Sequence, residues 1–220
     1  TFSQLGEWHG GGTPSKRNPD FWNNGTIPWV SPKDMKIDYI ETTQDYITSD
    51  AVNNSTANII PPYSLLFVVR SGILRHTLPT AINKVECTLN QDLKSLYTSK
   101  YIDIKYLLHL SYAYNKDILN SCSKDGTTVQ SIETSLLYNY PIPLPPFKEE
   151  EKISREIDKL LSLIEKTEIM VYSELKRCQS LRQSIFKDAF EGKLVPQDPN
   201  DEPASILLER IKAEKANLKN

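Results

Sequence analysis

The sequence is poor in the residue types that build metal centres and disulfide frameworks. Its 220 residues include only three histidines and three cysteines. The histidines have no metal-ligand spacing, and the cysteines are odd in number and unrelated in spacing. We therefore expect no metal site and no disulfide, which suits a reducing compartment such as the cytoplasm.

Long apolar runs and a strong charge imbalance are missing as well. No stretch approaches the ~20 apolar residues of a membrane span, and no charged-then-apolar leader opens the sequence, so we expect neither membrane insertion nor secretion. The formal net charge is −2. Bulk charge therefore gives no sign of nucleic-acid binding, and any such surface has to be a local patch.

Signatures of catalysis are also missing. No glycine-rich loop for S-adenosylmethionine follows a predicted strand. Two isoleucines separate Asn58 from Pro61 in a stretch that otherwise resembles the Asn-Pro-Pro-Tyr loop of amino-methyltransferases. We interpret that stretch as a turn before a strand predicted at 64–69. No nucleophile–base pattern stands out either, so the residues give no positive sign of catalysis or of a cofactor site.

The sequence does hold a long helical segment, which a proline-rich strap introduces. Prolines at 141, 143, 145 and 146 exclude helix interior and central strand, so an extended strap is predicted. Glutamates at 149–151 then favour a helix start, and no Gly or Pro follows until Gly192, which suits the C′ position. Such a helix is roughly 60 Å long.

Apolar residues form a heptad-like seam along this helix, mostly at steps of four and three. One small domain cannot bury so long a seam, so we predict an intermolecular partner helix. An intramolecular helix hairpin is the alternative, although the other helix-like segment nearby is short. The predicted interface residues are Ile153, Ile157, Leu160, Ile164, Val171, Leu175, Cys178, Leu181 and Ile185.

Residues 1–147 have a different character. Short β-type runs alternate with turn signals such as Gly-Gly-Gly at 10–12 and Asn-Asn-Gly at 23–25, which predicts a β-containing mixed domain. We expect Trp29 in its core and a helix over 105–114. The predicted fold class is therefore α+β: a mixed α/β globular domain over 1–147, one long helix over 148–192, and a loop with a short C-terminal helix over 193–220. Asp201 is the expected cap of that last helix, which would pack back on the long one.

Several polar loops of the domain carry side chains that can contact nucleic acid. The triple glycine before Thr-Pro-Ser-Lys gives backbone amides access to an anion. Its spacing excludes a phosphate-binding loop, and taken alone it is typical of a flexible turn. Basic and amide side chains near Arg70 and in the loop 124–130 can contact base edges or phosphates. Solvated loops are the alternative.

The order of these features resembles the specificity subunit of type I restriction-modification systems. The resemblance rests on Gly-Gly-Thr-Pro-Ser at 11–15, Ile-Pro-Trp-Val-Ser at 27–31, Ile-Pro-Leu-Pro-Pro-Phe at 142–147, the segment 181–204 with Phe-Lys-Asp-Ala-Phe-Glu-Gly-Lys-Leu-Val-Pro, and Leu-Leu-Glu-Arg-Ile at 207–211. It covers nearly the whole chain. Phe147 and the Glu150-Glu151 pair depart modestly from the family's strap, Ile-Pro-Leu-Pro-Pro-Leu-x-Glu-Gln.

The resemblance implies a function. Family members usually carry two target recognition domains, each reading half of a bipartite double-stranded DNA sequence, separated by long antiparallel helices that set the spacer. The subunit is not catalytic. It recruits modification subunits, which methylate adenine with S-adenosylmethionine, and restriction subunits, which translocate and cleave DNA with ATP. This chain resembles half of such a subunit, so a homodimer reading an interrupted palindrome is expected. A truncated chain and pairing with a different half-subunit are the alternatives.

Within the recognition domain, the resemblance indicates the region that contacts DNA but does not indicate which residues read the bases. The predicted DNA contacts are therefore the polar and basic loop residues Thr13, Ser15, Lys16, Arg17, Ser31, Lys33, Arg70, Arg75, Lys124, Thr127, Thr128 and Gln130. Arg is the commonest reader of guanine, and Asn or Gln of adenine, so Arg70 and Gln130 are the predicted base readers.

Two other classes compete with this interpretation. A coiled-coil adaptor that binds only protein would explain the long helix, and a methyltransferase fragment would require a cofactor loop. Salt-sensitive DNA binding by a complex that contains the chain separates the first interpretation from the adaptor. Binding of S-adenosylmethionine by the isolated chain would favour the methyltransferase fragment.

Overall fold

The structure is a computed structural model that describes residues 1–124 and 130–218. The chain divides into two compact units, Thr1–Leu160 and Leu161–Asn220. The first unit extends past the boundary predicted at residue 147, because the first turns of the long helix pack onto the globular core.

Strands and helices alternate irregularly through the first unit. The strands are β1 (Gly6–Gly10), β2 (Ile27–Val30), β3 (Tyr39–Ile40), β4 (Asp45–Ile47), β5 (Leu65–Val68), β6 (Thr80–Asn83), β7 (Thr88–Leu89), β8 (Leu93–Thr98), β9 (Ser123–Lys124) and β10 (Ser131–Ile132). The α-helices in the described residues are α1 (Ser49–Asn53), α2 (Ile104–Ala113), α3 (Asn115–Cys122), α4 (Thr134–Asn139), α5 (Phe147–Phe190) and α6 (Ala204–Asn217). These elements confirm the predicted α+β class.

The main sheet is built around β5, in the order β1-β8-β5-β6-β3. Every residue of β5 is buried, as expected for a strand that is covered on both faces. Leu65 and Phe67 belong to one core together with residues of α2, α3 and α4. Leu66 and Val68 belong to a second core with residues of β2 and β7. The strand predicted at 64–69 is confirmed.

A smaller sheet, in the order β4-β2-β7, carries the predicted core tryptophan. Trp29 is buried and packs edge-to-face on Trp22, with ring centroids 5.2 Å apart. Its indole Nε1 donates a hydrogen bond to the carbonyl of Gly12 over 3.0 Å. This bond satisfies the indole N–H in the core and holds the glycine-rich loop against the domain.

The helix predicted at 105–114 is confirmed as α2. The Asp103 side chain accepts a hydrogen bond from the Lys105 N–H over 3.0 Å, which caps the helix start. Its His109 is buried, as expected for a packing residue.

The proline-rich segment before α5 is neither helix nor strand, as predicted. The start of α5 is joined to the core by a buried carboxylate. Glu150 accepts a hydrogen bond from the Asp103 N–H over 2.8 Å, and burial raises the pKa of Glu150 above its ordinary value. Ile153 is half-buried against the same core. Part of its surface is therefore used within the chain, and its place in the dimer seam stays a prediction.

A second junction between α5 and the domain is ionic. Asp158 accepts hydrogen bonds from Lys105 Nζ over 2.9 Å and from His109 Nε2 over 3.0 Å. Burial alone would raise the pKa of Asp158, but the hydrogen bonds from Lys105 and His109 outweigh it and hold that pKa below its ordinary value. The first three turns of α5 are thus fixed to α2.

In the second unit, α5 ends in the predicted way. Gly192 has φ +71° and lies at the C′ position. Its N–H donates to the Ala189 carbonyl over 3.2 Å, and the Lys193 N–H donates to the Asp188 carbonyl over 2.8 Å. This pair of bonds is a Schellman motif, whose left-handed residue is usually glycine.

The start of α6 differs from the prediction. Pro203 occupies the N-cap position with an extended backbone, ψ 140°, so the helix begins at Ala204 and Asp201 is not its cap. The apolar residues of α6 are 37–56% exposed, and its packing on the long helix stays a prediction.

Candidate nucleic-acid interface

The turn between β7 and β8, residues 90–92 (the 90–92 loop), is a meeting point of three other segments. Gly12 donates its N–H to the carbonyl just before this loop over 2.8 Å. The Asn90 N–H donates to the Val30 carbonyl over 2.9 Å, and the Val69 N–H donates to the Asp92 carbonyl over 2.8 Å. Candidate residues that follow β1, β2 and β5 are therefore brought together around one loop.

An arginine and an aspartate form an ion pair at this point. Arg70 Nε lies 2.7 Å from Asp92 Oδ1. The Arg70 side chain is 58% exposed and that of Asp92 20%. Asp92 is held in turn because its own N–H donates to Asn90 Oδ1 over 2.9 Å. A pair this exposed contributes little to stability, and its structural effect is to orient the guanidinium.

Thr13 is the second candidate that reaches the loop, where its hydroxyl donates to Gln91 Oε1. Ser31 is different, because it is buried. Its N–H and its Oγ both donate to Asp34 Oδ2, over 2.8 and 2.9 Å. The prediction of a DNA contact at Ser31 is therefore wrong: the side chain stabilises the turn after β2.

A cleft of about 490 Å³ is lined by Arg75 and Gln130 among the predicted residues, and by other polar and basic side chains. We call it the basic cleft; its described lining residues are Leu74, Arg75, His76, Lys116, Leu119, Asn120, Ser123 and Gln130, and none of these is acidic. Among the described residues, nothing donates to the buried Gln130 Oε1.

The basic cleft adjoins the segment that carries Arg70. The Ser71 N–H donates to the Gln130 carbonyl over 3.2 Å, and Arg70 and Ser131 form an isolated antiparallel bridge. Lys124 pairs with Ser131 across the β9–β10 ladder, and its Nζ lies 3.8 Å from Glu133. Four of the candidates, Arg70, Arg75, Lys124 and Gln130, therefore belong to connected segments.

Four of the remaining candidates are exposed, and the other two lie outside the described residues. Ser15, Lys16, Arg17 and Lys33 are exposed, and Lys16 Nζ lies 5.9 Å from the centroid of the Trp22 ring. Thr127 and Thr128 lie outside the residues that the structure describes.

Sequence reasoning missed several residues of this surface. Gln91 and Asp92 belong to Asn-Gln-Asp, a polar triplet between two apolar runs that is a turn signal and could have been noticed. Lys116 gave no local signal, because packing of α3 beside residues 74–76 creates the cleft.

The predicted seam of α5 is exposed from residue 160 onward. Ile157 is half-buried, whereas the apolar seam residues beyond it are 46–62% exposed: Leu160, Ile164, Val171, Leu175, Leu181 and Ile185. Cys178 is exposed as well. This length of unpartnered apolar surface is unusual for a helix that stays alone in water.

The described residues offer no other obvious chemistry. They contain no group of three or more His, Cys, Asp or Glu side chains that could hold a metal ion. No helix in the described ranges is long and apolar enough to cross a membrane.

A mixed domain that gathers polar and basic loops, and that continues into a helix with an exposed heptad seam, has the architecture of a recognition domain linked to an association helix. Residues 1–177 match the family model described as the type I restriction modification DNA specificity domain. The chain therefore belongs to this family.

Curated relatives are specificity subunits of such systems. The chain is 43% identical over 163 residues to the EcoR124I/EcoR124II specificity subunit of Escherichia coli, covering 74% of this chain and 40% of the relative. It is 30% identical over 167 residues to the MjaIX specificity subunit of Methanocaldococcus jannaschii, covering 73% and 37%. The chain thus spans about two fifths of the length of these relatives.

Solved structures share the fold. One comes from a study of complex assembly and conformational transition in the type I R-M system, with TM-score 0.65, 20% identity, and coverage of 88% of this chain and 45% of that one. Another is the HsdS subunit from Thermoanaerobacter tengcongensis, with TM-score 0.57, 20% identity, and coverage of 88% and 44%.

Proposed function

We propose that this chain is a DNA-recognition subunit of a type I restriction-modification complex and that its first unit reads one half of a bipartite target. The observation that carries the proposal is that Thr13 and Arg70 meet at the 90–92 loop and that the basic cleft adjoins the segment that carries Arg70. Local positive charge and exposed hydrogen-bonding groups are what base and phosphate contacts require. Because the net charge of the chain is −2, this local group of basic side chains does not simply follow from an overall positive charge.

Catalysis in the complex would belong to other subunits. The modification subunits would use S-adenosylmethionine to methylate adenine, and the restriction subunits would use ATP to translocate and cleave DNA. We propose that this chain recruits both kinds of subunit and binds neither cofactor itself. We also propose that it works in the cytoplasm, because its DNA target and those cofactors are found there.

The test is to co-express the chain with its modification subunit and to map methylated adenines across the host genome by single-molecule sequencing. We expect methylation at a bipartite motif. Arg75→Ala should weaken DNA binding and lessen its salt dependence, because it removes a cation from the basic cleft. If both proteins are soluble and co-purify but no adenine is methylated, the protein-only adaptor becomes the better interpretation.

We also propose that two copies pair through the α5 seam in an antiparallel, twofold arrangement. The support is the row of exposed apolar residues from Leu160 to Ile185, since a symmetric partner offers an identical seam. Two identical recognition domains would then read an interrupted palindrome. An asymmetric motif would instead require a different second half.

Light scattering of matched charge variants tests the pairing. Leu175→Glu places a charge in the seam of both helices, so we expect it to shift a dimer toward monomer at micromolar concentration. Ser180→Glu adds the same charge on the opposite face of α5 and should leave the dimer intact. A wild-type monomer would contradict the homodimer without touching the proposal of DNA recognition.

A further inference from the structure

We propose that Arg70 reads a guanine in the major groove and that Asp92 is the residue that positions it. This inference rests on the proposed function. It goes further because it assigns a base to a side chain and a role to a carboxylate.

The hydrogen bonding of Arg70 leaves one edge of its guanidinium available. Nε is engaged by Asp92 Oδ1 at 2.7 Å. Among the described residues, no acceptor is bound to either terminal nitrogen of Arg70, and its side chain is 58% exposed. The free edge carries two parallel N–H groups. Guanine presents two neighbouring acceptors, O6 and N7, in the major groove, and this bidentate match is the commonest specific contact of arginine.

Hydrogen bonds of the backbone hold both Arg70 and Asp92 in place. The carbonyl of Asp92 accepts the N–H groups of Val69 and Arg70, over 2.8 and 3.3 Å. Asn90 is buried, and its Oδ1 accepts the Asp92 N–H. An arginine that is already oriented loses less side-chain entropy when it binds a base. This arrangement is what direct readout needs.

The charge of the pair argues against a simple phosphate contact. Asp92 neutralises the guanidinium and repels DNA phosphates, so the pair adds almost no net attraction for the DNA backbone. The neighbouring basic cleft, with Arg75 and Lys116 and no described acidic lining residue, is better suited to phosphates. A fixed and neutralised donor edge is useful for discrimination between bases.

The test uses the complex of the full chain with its modification subunit. Once methylation mapping gives the motif, binding is measured on duplexes in which each guanine of a half-site is replaced singly by 7-deazaguanine, which lacks the N7 acceptor. For the wild type, we expect one replacement to weaken binding. The roughly 5- to 150-fold range of a whole bidentate contact is the upper bound, because O6 remains as an acceptor.

Arg70→Ala should bind the normal and the modified duplex equally at that guanine. Asp92→Asn keeps the side-chain size, removes the negative charge and loosens the arginine. We therefore expect it to bind random DNA more tightly and to discriminate less at the same guanine. A change in fold stability alone would not produce these opposite effects. Arg155→Ala is the matched control, because Arg155 is an exposed arginine whose Nε is also hydrogen-bonded, to the Glu151 carbonyl over 3.2 Å.

Three outcomes would overturn the inference. If Arg70→Ala keeps the wild-type discrimination at every guanine, Arg70 is not the reader. If Asp92→Asn discriminates as well as the wild type, Asp92 does not position it. If the wild-type complex binds without any sequence preference, the proposed function fails as well, and this result is distinguishable from the first two.

Discussion

The close contact between Gly11 and the 90–92 loop leads to a sharp stability prediction. A Cβ built on Gly11 would lie 2.5 Å from the Leu89 carbonyl oxygen and closer still to that of Asn90. Both are backbone oxygens that accept hydrogen bonds, the Leu89 carbonyl from the Gly12 N–H and the Asn90 carbonyl from the Leu93 N–H, so neither can rotate away. The glycine-rich segment, typical of a flexible turn in the sequence, is here a packed element. Gly11→Ala therefore has to displace the loop that collects the candidate contacts.

Overpacking of this kind costs about 1–3 kcal/mol. The backbone obstruction favours the upper end, and a loss of about 3 kcal/mol lowers Tm by about 6–12 °C for a chain of this size. Calorimetry or circular dichroism measures the shift. Gly72→Ala is the matched control, because a Cβ on Gly72 would meet nothing within 4 Å; its Tm should stay within about 2 °C of the wild type. Equal Tm values for Gly11→Ala and the wild type would refute this account of the loop.

Two further predictions concern the junction between α5 and the domain, and urea unfolding measures both. Because the pKa of Asp158 is lowered in the folded state, its contribution to stability is present above the ordinary pKa of about 4 and is lost as pH falls through the lower folded pKa. Asp158→Asn should thus be less stable than the wild type at pH 7, and this deficit should shrink as pH falls below about 4; a deficit that does not change with pH would contradict this. Glu150→Gln keeps an acceptor for the Asp103 N–H and removes a buried charge, so we expect no loss of stability at pH 7. Glu150→Ala leaves that N–H unpaired and should cost about 1–3 kcal/mol; equal losses in the two variants would contradict it.

The parts of the fold that sequence predicted correctly are those with local physical causes. The proline-rich strap, the gap-free helix and Gly192 are each set by backbone restrictions of the residues themselves. The buried runs at Trp29 and β5 followed from composition between turn signals. Such features need no knowledge of distant neighbours.

The errors arise where a contact with another side chain or with the core decides the role of a residue. Ser31 has the chemistry of a DNA contact, but Asp34 takes both of its donors and burial removes it from solvent. Ile153 fits the seam by spacing, but it also packs on the domain core and is half-buried there. Asp92 was missed because its importance depends on Arg70, which is 22 residues away in sequence.

The length of the paired helix segment gives a last prediction, which rests on the proposed antiparallel dimer. Deletion of residues 164–170 removes one heptad and brings Val171 to the place of Ile164, so the seam continues in phase. Each helix shortens by about 10.5 Å, and the two recognition domains approach each other by the same amount. Since about 10 base pairs span 34–36 Å of duplex, the spacer of the methylated motif should shorten by about three base pairs while both half-sites stay unchanged. Deletion of two residues would instead turn the later seam by about 200°, to the opposite side of the helix, and should abolish methylation. If the heptad deletion leaves the wild-type spacer in place, the length of α5 does not determine the distance between the half-sites, and the antiparallel pairing is wrong.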